Sequence, residues 1–207
     1  MTKPSQLPLQ WTRRGGARPG AGRPRGKRVT HDARPRFKKL PVHTTLRVRD
    51  EVAFLRRPEV FAAVAACIDA AHGSLFRVVH FSVLGNHLHL IVEAQDQAGL
   101  ARGMQGLAVR IARAVNRVAT RRGVVFADHY HAHLLRSPTE VARAVAYVLG
   151  NYLHHFPDTA VTDFWHDECS SEVRFDVVAP PRTWLLRVGW KRARQRSPDR
   201  TGARGVL

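Results

Sequence analysis

Apolar and polar positions along the chain first alternate with a period of two. Val42 to Val48 is β-branched and alternating, which predicts a first strand. From Glu59 to Ala71 the period lengthens. Val60, Val64, Cys67 and Ile68 recur at helical spacing in an alanine-rich stretch, and Gly73 follows as a stop. Leu75 to Leu84 predicts a second strand, Gly85 and Asn86 a turn, and His87 to Glu93 a third strand that forms a hairpin with the second. Leu100, Met104, Leu107, Ile111, Val115 and Val118 stand at steps of 4, 3, 4, 4 and 3, one face of a long helix that Gly123 ends. Val124 to Leu135 predicts a fourth strand with an alternating set of histidines. Ser137 and Glu140 then have the spacing of a capping box, with Pro138 at the first helical position. The helix they start is expected to run from Pro138 to about His154, ahead of Pro157.

The order βαββαβ is that of a ferredoxin-like antiparallel sheet, so the expected fold class is α+β, with the last helix added to the core. Such a sheet hosts many functions, and the chemistry must be argued from particular residues. An RNA-recognition module shares this order but stacks bases on aromatic residues of its sheet. The third strand here has none, which counts against that reading.

Charge changes the picture more than any other compositional feature. Residues 1–39 hold 12 Lys and Arg against one acid, Asp32, and residues 182–207 hold eight against Asp199. Residues 40–181 balance 14 against 14, so the whole net charge of +18 belongs to the two ends. Basic ends of this kind suit a polyanion, because Lys and Arg displace counterions from phosphates. The run from Gly15 to Gly26 is rich in Gly, Pro and Arg, cannot bury a core, and is expected to be a disordered arm. Within it, Arg23-Pro24-Arg25 between Gly22 and Gly26 has the form of an AT-hook, suited to the narrow minor groove of AT-rich duplex. Two cysteines, Cys67 and Cys169, make no disulfide framework, which points to a reduced, cytoplasmic setting. No apolar run approaches the roughly 20 residues of a membrane span.

Two pairs of residues carry candidate chemistry. His87 and His89 are two apart on a strand and share a face, with Leu88, Leu90 and Val92 on the other. Their Cα atoms should lie about 7 Å apart, close enough for both imidazoles to reach one ion. Glu93 shares that face but falls about 13 Å beyond His89, outside such a site. Two histidines alone form an incomplete site and need a further ligand. On the last helix, Val141, Val145, Val148, Leu149 and Tyr152 fall within an arc of about 100°, the expected core face. Tyr147 lies well off that arc, with Arg143 one turn before it and Asn151 one turn after. A packing role accounts for Tyr152 and fails to account for Tyr147.

His-Leu-His on the strand after a hairpin, followed by Tyr147 and Asn151 four residues apart on a helix, resembles the HUH single-tyrosine transposases. More narrowly it resembles the insertion-sequence-200-like group and the transposases associated with repetitive extragenic palindromes. Residues 126–133, 137–151 and 182–190 are also similar to that branch, so the resemblance covers about residues 40–190. It implies His87, His89 and Asn151 as ligands of Mg²⁺ or Mn²⁺, and Tyr147 as a nucleophile that forms a 5′-phosphotyrosine on single-stranded, hairpin-flanked DNA. Many relatives have Pro directly after the Asn, where this chain has Tyr152. A homodimer that donates the tyrosine helix in trans and a monomer both occur in the group.

The expected organisation is a basic arm over 1–39, a catalytic HUH domain over 40–160, an extension over 161–190 packed on or near the core, and a disordered basic tail over 191–207. Arg110, Arg113, Arg117 and Arg121, at steps of 3, 4 and 4 opposite the apolar stripe of the long helix, are expected to contact DNA phosphates, as are Arg143, Arg23 and Arg25. His131 is a candidate to stand behind the metal ligands. A non-cutting DNA-binding regulator on the same fold is the alternative function. Replication initiators and conjugative relaxases with the same two motifs would be expected to carry added modules.

Overall fold

The computed structural model describes residues 37, 39–160, 162 and 165–196. The AT-hook arginines Arg23 and Arg25 lie outside the described residues. Four strands, β1 (Pro41–Arg47), β2 (Phe76–Val83), β3 (His87–Ala94) and β4 (His131–Leu134), form one antiparallel sheet in the order β2-β3-β1-β4. Helices α1 (Pro58–Asp69) and α2 (Gln97–Val118) connect β1 to β2 and β3 to β4. The expected ferredoxin-like βαββαβ core is therefore present.

Alternation along the strands divides the sheet into two chemically different faces. Leu46, Phe81, Leu88, Leu90 and Val92 point to one side, where Val60, Val64 and Ile68 of α1 and Leu100, Met104, Leu107, Ile111 and Val115 of α2 complete the main core. Asp96 caps α2 by accepting the backbone N–H of Gly99 at 2.7 Å. Helix α2 comes close to the sheet at Gly103, where an added Cβ would overlap the ring of Phe76. The opposite face carries His43, Thr45, His87 and His89, as the β1–β3 register Thr45↔His89 and Arg47↔His87 requires.

The fourth strand is shorter than the expected Val124–Leu135. Phe126 makes a single bridge to Val48, and the chain then bulges away until His131 rejoins β1 opposite Thr45. Asp128 stabilises the departure, its Oδ1 accepting the His129 N–H at 2.7 Å. The last long helix is also divided, into α3 (Pro138–Leu149) and α4 (Asn151–His155). Gly150 between them opens to ψ 4°, although its N–H still reaches the carbonyl of Ala146 at 2.9 Å. A Cβ at this position would stand 3.0 Å from that same carbonyl.

The C-terminal extension covers the free edge of β2. Ser170 bridges Ser82, Ser171 N–H donates to the Phe81 carbonyl, and Ala179 N–H donates to that of Val78. Buried Asp167 anchors this segment by accepting from Arg56 at 2.8 Å and from Cys169 N–H at 3.0 Å. Farther on, Glu93 receives Arg182 N–H, Thr183 N–H and the Thr183 hydroxyl, all at 2.7 Å. Just beyond these residues a π-helical turn (Leu185–Gly189) runs into α5 (Trp190–Arg196). Helical structure thus persists beyond residue 191, where the tail was expected to begin, because Leu186 and Trp190 pack against the α3 cluster.

Two glycines of α2 should respond oppositely to Ala. Gly103→Ala drives a methyl into Phe76 and should cost about 1–3 kcal/mol. Gly106 meets only the Arg110 guanidinium, 3.8 Å away, so Gly106→Ala should gain up to about 1 kcal/mol of helix propensity. Urea unfolding midpoints check both, and equal shifts would refute the close approach at Gly103.

Candidate active site

Helix α3 lies across the sheet face that α1 and α2 leave open. Its apolar stripe of Val141, Ala144, Val145 and Val148 packs on Ile91 of β3 and Val79 of β2, with Leu135 and Leu186 completing the layer. The capping box forms with one displacement. Ser137 Oγ accepts Glu140 N–H at 3.2 Å, while Glu140 returns its bond to Arg136 N–H at 2.7 Å. With the stripe facing down, Tyr147 remains 41% exposed, and its ring meets His89 edge-on at 5.3 Å and His43 at 5.9 Å. Tyr152, expected on the core face, is only half-buried and stacks with Trp165 and Phe156 beneath Arg56. The bend at Gly150 buries Asn151 completely instead.

The ring centroids of His87 and His89 are 4.9 Å apart. Each imidazole is held at Nδ1. His87 Nδ1 lies 2.7 Å from Asn86 Oδ1, and His89 Nδ1 lies 3.0 Å from His43 Nε2 and 3.2 Å from Thr45 Oγ1. These contacts leave the Nε2 atom of each ring for another partner. Burial first, and then the like charge that His43, His87 and His155 carry when protonated, lowers the pKa of His89 from 6.5 to about 3. His87 shifts in the same direction, through burial first and then His155 and Arg47. Both rings are therefore neutral at neutral pH, the form in which imidazole binds metals.

Asn151 supplies an independent sign of a missing partner. Its side chain is fully buried, yet neither Oδ1 nor Nδ2 has a hydrogen-bond partner. An unsatisfied buried amide costs about 1–3 kcal/mol, so such a group calls for an explanation. It lies one turn after Tyr147 and one turn before His155, whose ring is 5.4 Å from that of His87. Among the described residues no three His, Cys, Asp or Glu side chains are grouped to hold a metal. An ion here would rest on two imidazoles and an amide oxygen, and that donor set suits a divalent cation.

Beside Tyr147 opens a cleft of about 330 Å³ lined by His43, His133, Leu135, Glu140, Arg143 and Ala144. Arg143, read from the sequence, stands at its rim. The histidine of β4 that lines it is His133, opposite His43, while His131 stands opposite Thr45 and is exposed. Arg110, Arg113 and Arg117 are exposed on α2, but α2 covers the other face of the sheet, away from Tyr147. Arg121 leaves their row, since it lies past the end of α2 and binds Asn116 Oδ1 at 3.0 Å. Glu93 holds Arg182 and Thr183 and takes no part in the histidine cluster. Sequence reasoning missed His43, Thr45, Asn86, His155 and also His154, whose ring lies 6.0 Å from that of Tyr147. Only His43 and Thr45, alternating on a predicted strand, left any trace, and their register with β3 could not be read.

The sequence matches no protein-family model and no curated protein. Among solved structures it is similar to a REP-associated tyrosine transposase bound to a REP hairpin, with 15% identity and a TM-score of 0.51 over 75% of this chain and 92% of that one. The chain has the fold of that tyrosine transposase. A candidate transposase from Deinococcus radiodurans R1 aligns at 14% identity and TM-score 0.39, over 61% of this chain and 95% of that one. A bacterial tRNA(His) guanylyltransferase-like protein in complex with GTP aligns at 10% and 0.39, over 59% and 71%. Scores at that level add nothing to the fold assignment. Among the described residues no helix is long and apolar enough to cross a membrane.

Buried neutral histidines make stability depend on pH. Burial lowers His80 from 6.5 to about 4 and, with repulsion from neighbouring imidazoles that also gain protons in acid, His89 to about 3. Between these values and 6.5 the unfolded chain binds protons that the folded chain does not, so stability rises with pH through that window and is lost on acidification. Each such imidazole contributes a slope of up to about 1.4 kcal/mol per pH unit. Urea midpoints should be level from pH 8 to 7 and fall from 6.5 to 4.5. His80→Gln should flatten the fall, and an unchanged slope in that variant would refute the assignment.

Proposed function

We propose that this protein cuts and rejoins single-stranded, hairpin-flanked DNA, with Tyr147 as the nucleophile. The observation that carries this reading is the packing of an exposed tyrosine edge-on to His89, beside two neutral imidazoles with Nε2 free. The similar transposase is bound to a REP hairpin, which supports a DNA hairpin as the substrate class.

His87, His89 and the Asn151 carbonyl oxygen would hold Mg²⁺ or Mn²⁺, which when bound stabilises negative charge developing on the phosphate. The protein's own groups do the rest. The Tyr147 oxygen attacks phosphorus in line; its bond to phosphorus forms as the bond to the 3′ oxygen breaks. The phenolic proton passes to solvent and the departing 3′ oxygen takes one from solvent to become a hydroxyl, so the step releases no net proton. The 5′-phosphate stays esterified to Tyr147, so attack by a different 3′-hydroxyl joins new ends without an outside energy source. Arg143 at the cleft rim is placed to hold a phosphate of the strand near Tyr147. The α2 arginines would meet another stretch of the DNA, since they stand on the far side of the sheet, and Arg23 and Arg25 would suit AT-rich duplex.

Labelled hairpins and mixed-sequence strands, incubated with Mg²⁺ or Mn²⁺ and run on a denaturing gel, test the reading. Wild type should give a metal-dependent adduct that survives denaturation. Tyr147→Phe should abolish it, and His87→Ala should reduce it about 100-fold or more. Binding without any adduct across the panel would favour the non-cutting regulator. Arg143→Ala should weaken binding to all strands alike and make the salt slope about 0.7 shallower, the value for one phosphate contact on a single strand. An unchanged slope would remove Arg143 from the DNA path.

A further inference from the structure

We infer that His43 is a positioning residue that sets the tautomer of His89, accepting the Nδ1 proton of His89 on its own Nε2 and so leaving the His89 Nε2 lone pair for a metal. The inference deepens the metal reading above and rests on it for its functional consequence.

The two imidazoles of β3 are supported differently. His87 Nδ1 lies 2.7 Å from Asn86 Oδ1, and a carbonyl oxygen only accepts. The proton of His87 is therefore held on Nδ1, and its Nε2 is a free donor to a cation. His89 has no such fixed acceptor. Its Nδ1 faces His43 Nε2 at 3.0 Å and Thr45 Oγ1 at 3.2 Å, and each of those groups can either give or take a proton. Two arrangements result. In one, His43 Nε2 carries the proton and donates to His89, whose own proton then sits on Nε2 and blocks a metal. In the other, His89 donates from Nδ1, His43 protonates on Nδ1, and both imidazoles of β3 present bare Nε2 atoms.

The surroundings favour the second arrangement. His43 Nε2 is the nearer of the two groups that face His89 Nδ1, at 3.0 Å against 3.2 Å for Thr45 Oγ1, and only this arrangement leaves His89 Nε2 bare as the metal reading requires. The rings of His43 and His89 stack at 5.2 Å and 28°, which holds the pair in register, and Tyr147 closes over both. His43 also lines the cleft, together with His133, Glu140 and Arg143. Partners that hold the second nitrogen of a ligating imidazole typically change metal affinity 10- to 100-fold when removed.

Nitrogen-15 NMR of the histidine rings reads the tautomers in the metal-free protein, and Mn²⁺ titration reads the consequence. Wild-type His89 should be protonated on Nδ1. His43→Ala should shift it toward protonation on Nε2 and weaken Mn²⁺ binding about 10- to 100-fold. His43→Gln, whose side-chain oxygen can take the place of the ring Nε2, should restore both, whereas Thr45→Val should leave the tautomer as in wild type. A wild-type His89 protonated on Nε2 would overturn the inference without recourse to any variant. So would a tautomer unchanged in folded His43→Ala, or one that moved only in Thr45→Val. If the tautomer shifts as expected but wild type binds no Mn²⁺, the positioning role stands and the metal reading fails.

Discussion

The contact on which this site depends is the burial of the α3 stripe against Ile91 and Val79. The sheet already has a complete core on its other face, so a second apolar layer is needed only where β2 and β3 present those side chains outward. Valines and an alanine on α3 meet that need with little side-chain entropy to lose. Once they are buried, the helix cannot rotate without exposing them. Tyr147 is then fixed over His89 and His43, although it contributes nothing to the stripe itself.

The same layer draws polar groups out of water, and the structure answers that cost unevenly. Glu93 and Asp167 are buried carboxylates and both are satisfied: Glu93 of the sheet by Arg182 and Thr183 of the C-terminal extension, and Asp167 of that extension by Arg56 and by Cys169 N–H. They tie residues 165–190 to the sheet, and through Leu186 and Trp190 they brace α3 from behind. Asn151 is buried just as deeply and left unsatisfied. The fold thus partners these two structural carboxylates fully and leaves the Asn151 amide bare one turn after the exposed tyrosine. Neutral imidazoles with open Nε2 atoms belong to the same pattern.

Local pattern determined much of this. Period-two and period-3.6 stretches, Ser137 with Glu140, and the Gly85–Asn86 turn are consequences of neighbours in sequence, and the βαββαβ order followed from them. So did the shared face of His87 and His89, since strand geometry alone sets it, and the exclusion of Tyr147 from the apolar stripe. The length of β4 and the break at Gly150 were less legible. An Asp128 side chain competing with the ladder, and a helix opening at Gly150, depend on what lies across from them.

What only the tertiary structure decided is which groups from distant segments share a space. His43 reaches His89 because β1 lies beside β3, with Thr45 opposite His89, and no local pattern states that register. The arginine row of α2 looked like a DNA face from its charge, yet sheet topology sends it to the side away from Tyr147. Glu93 looked like a bystander and became the anchor of residues 182–183. The physical reason is the same in each case. Periodicity encodes which face a side chain takes relative to its own backbone, whereas hydrogen-bond partners across 40 to 100 residues are chosen by the packing of whole layers.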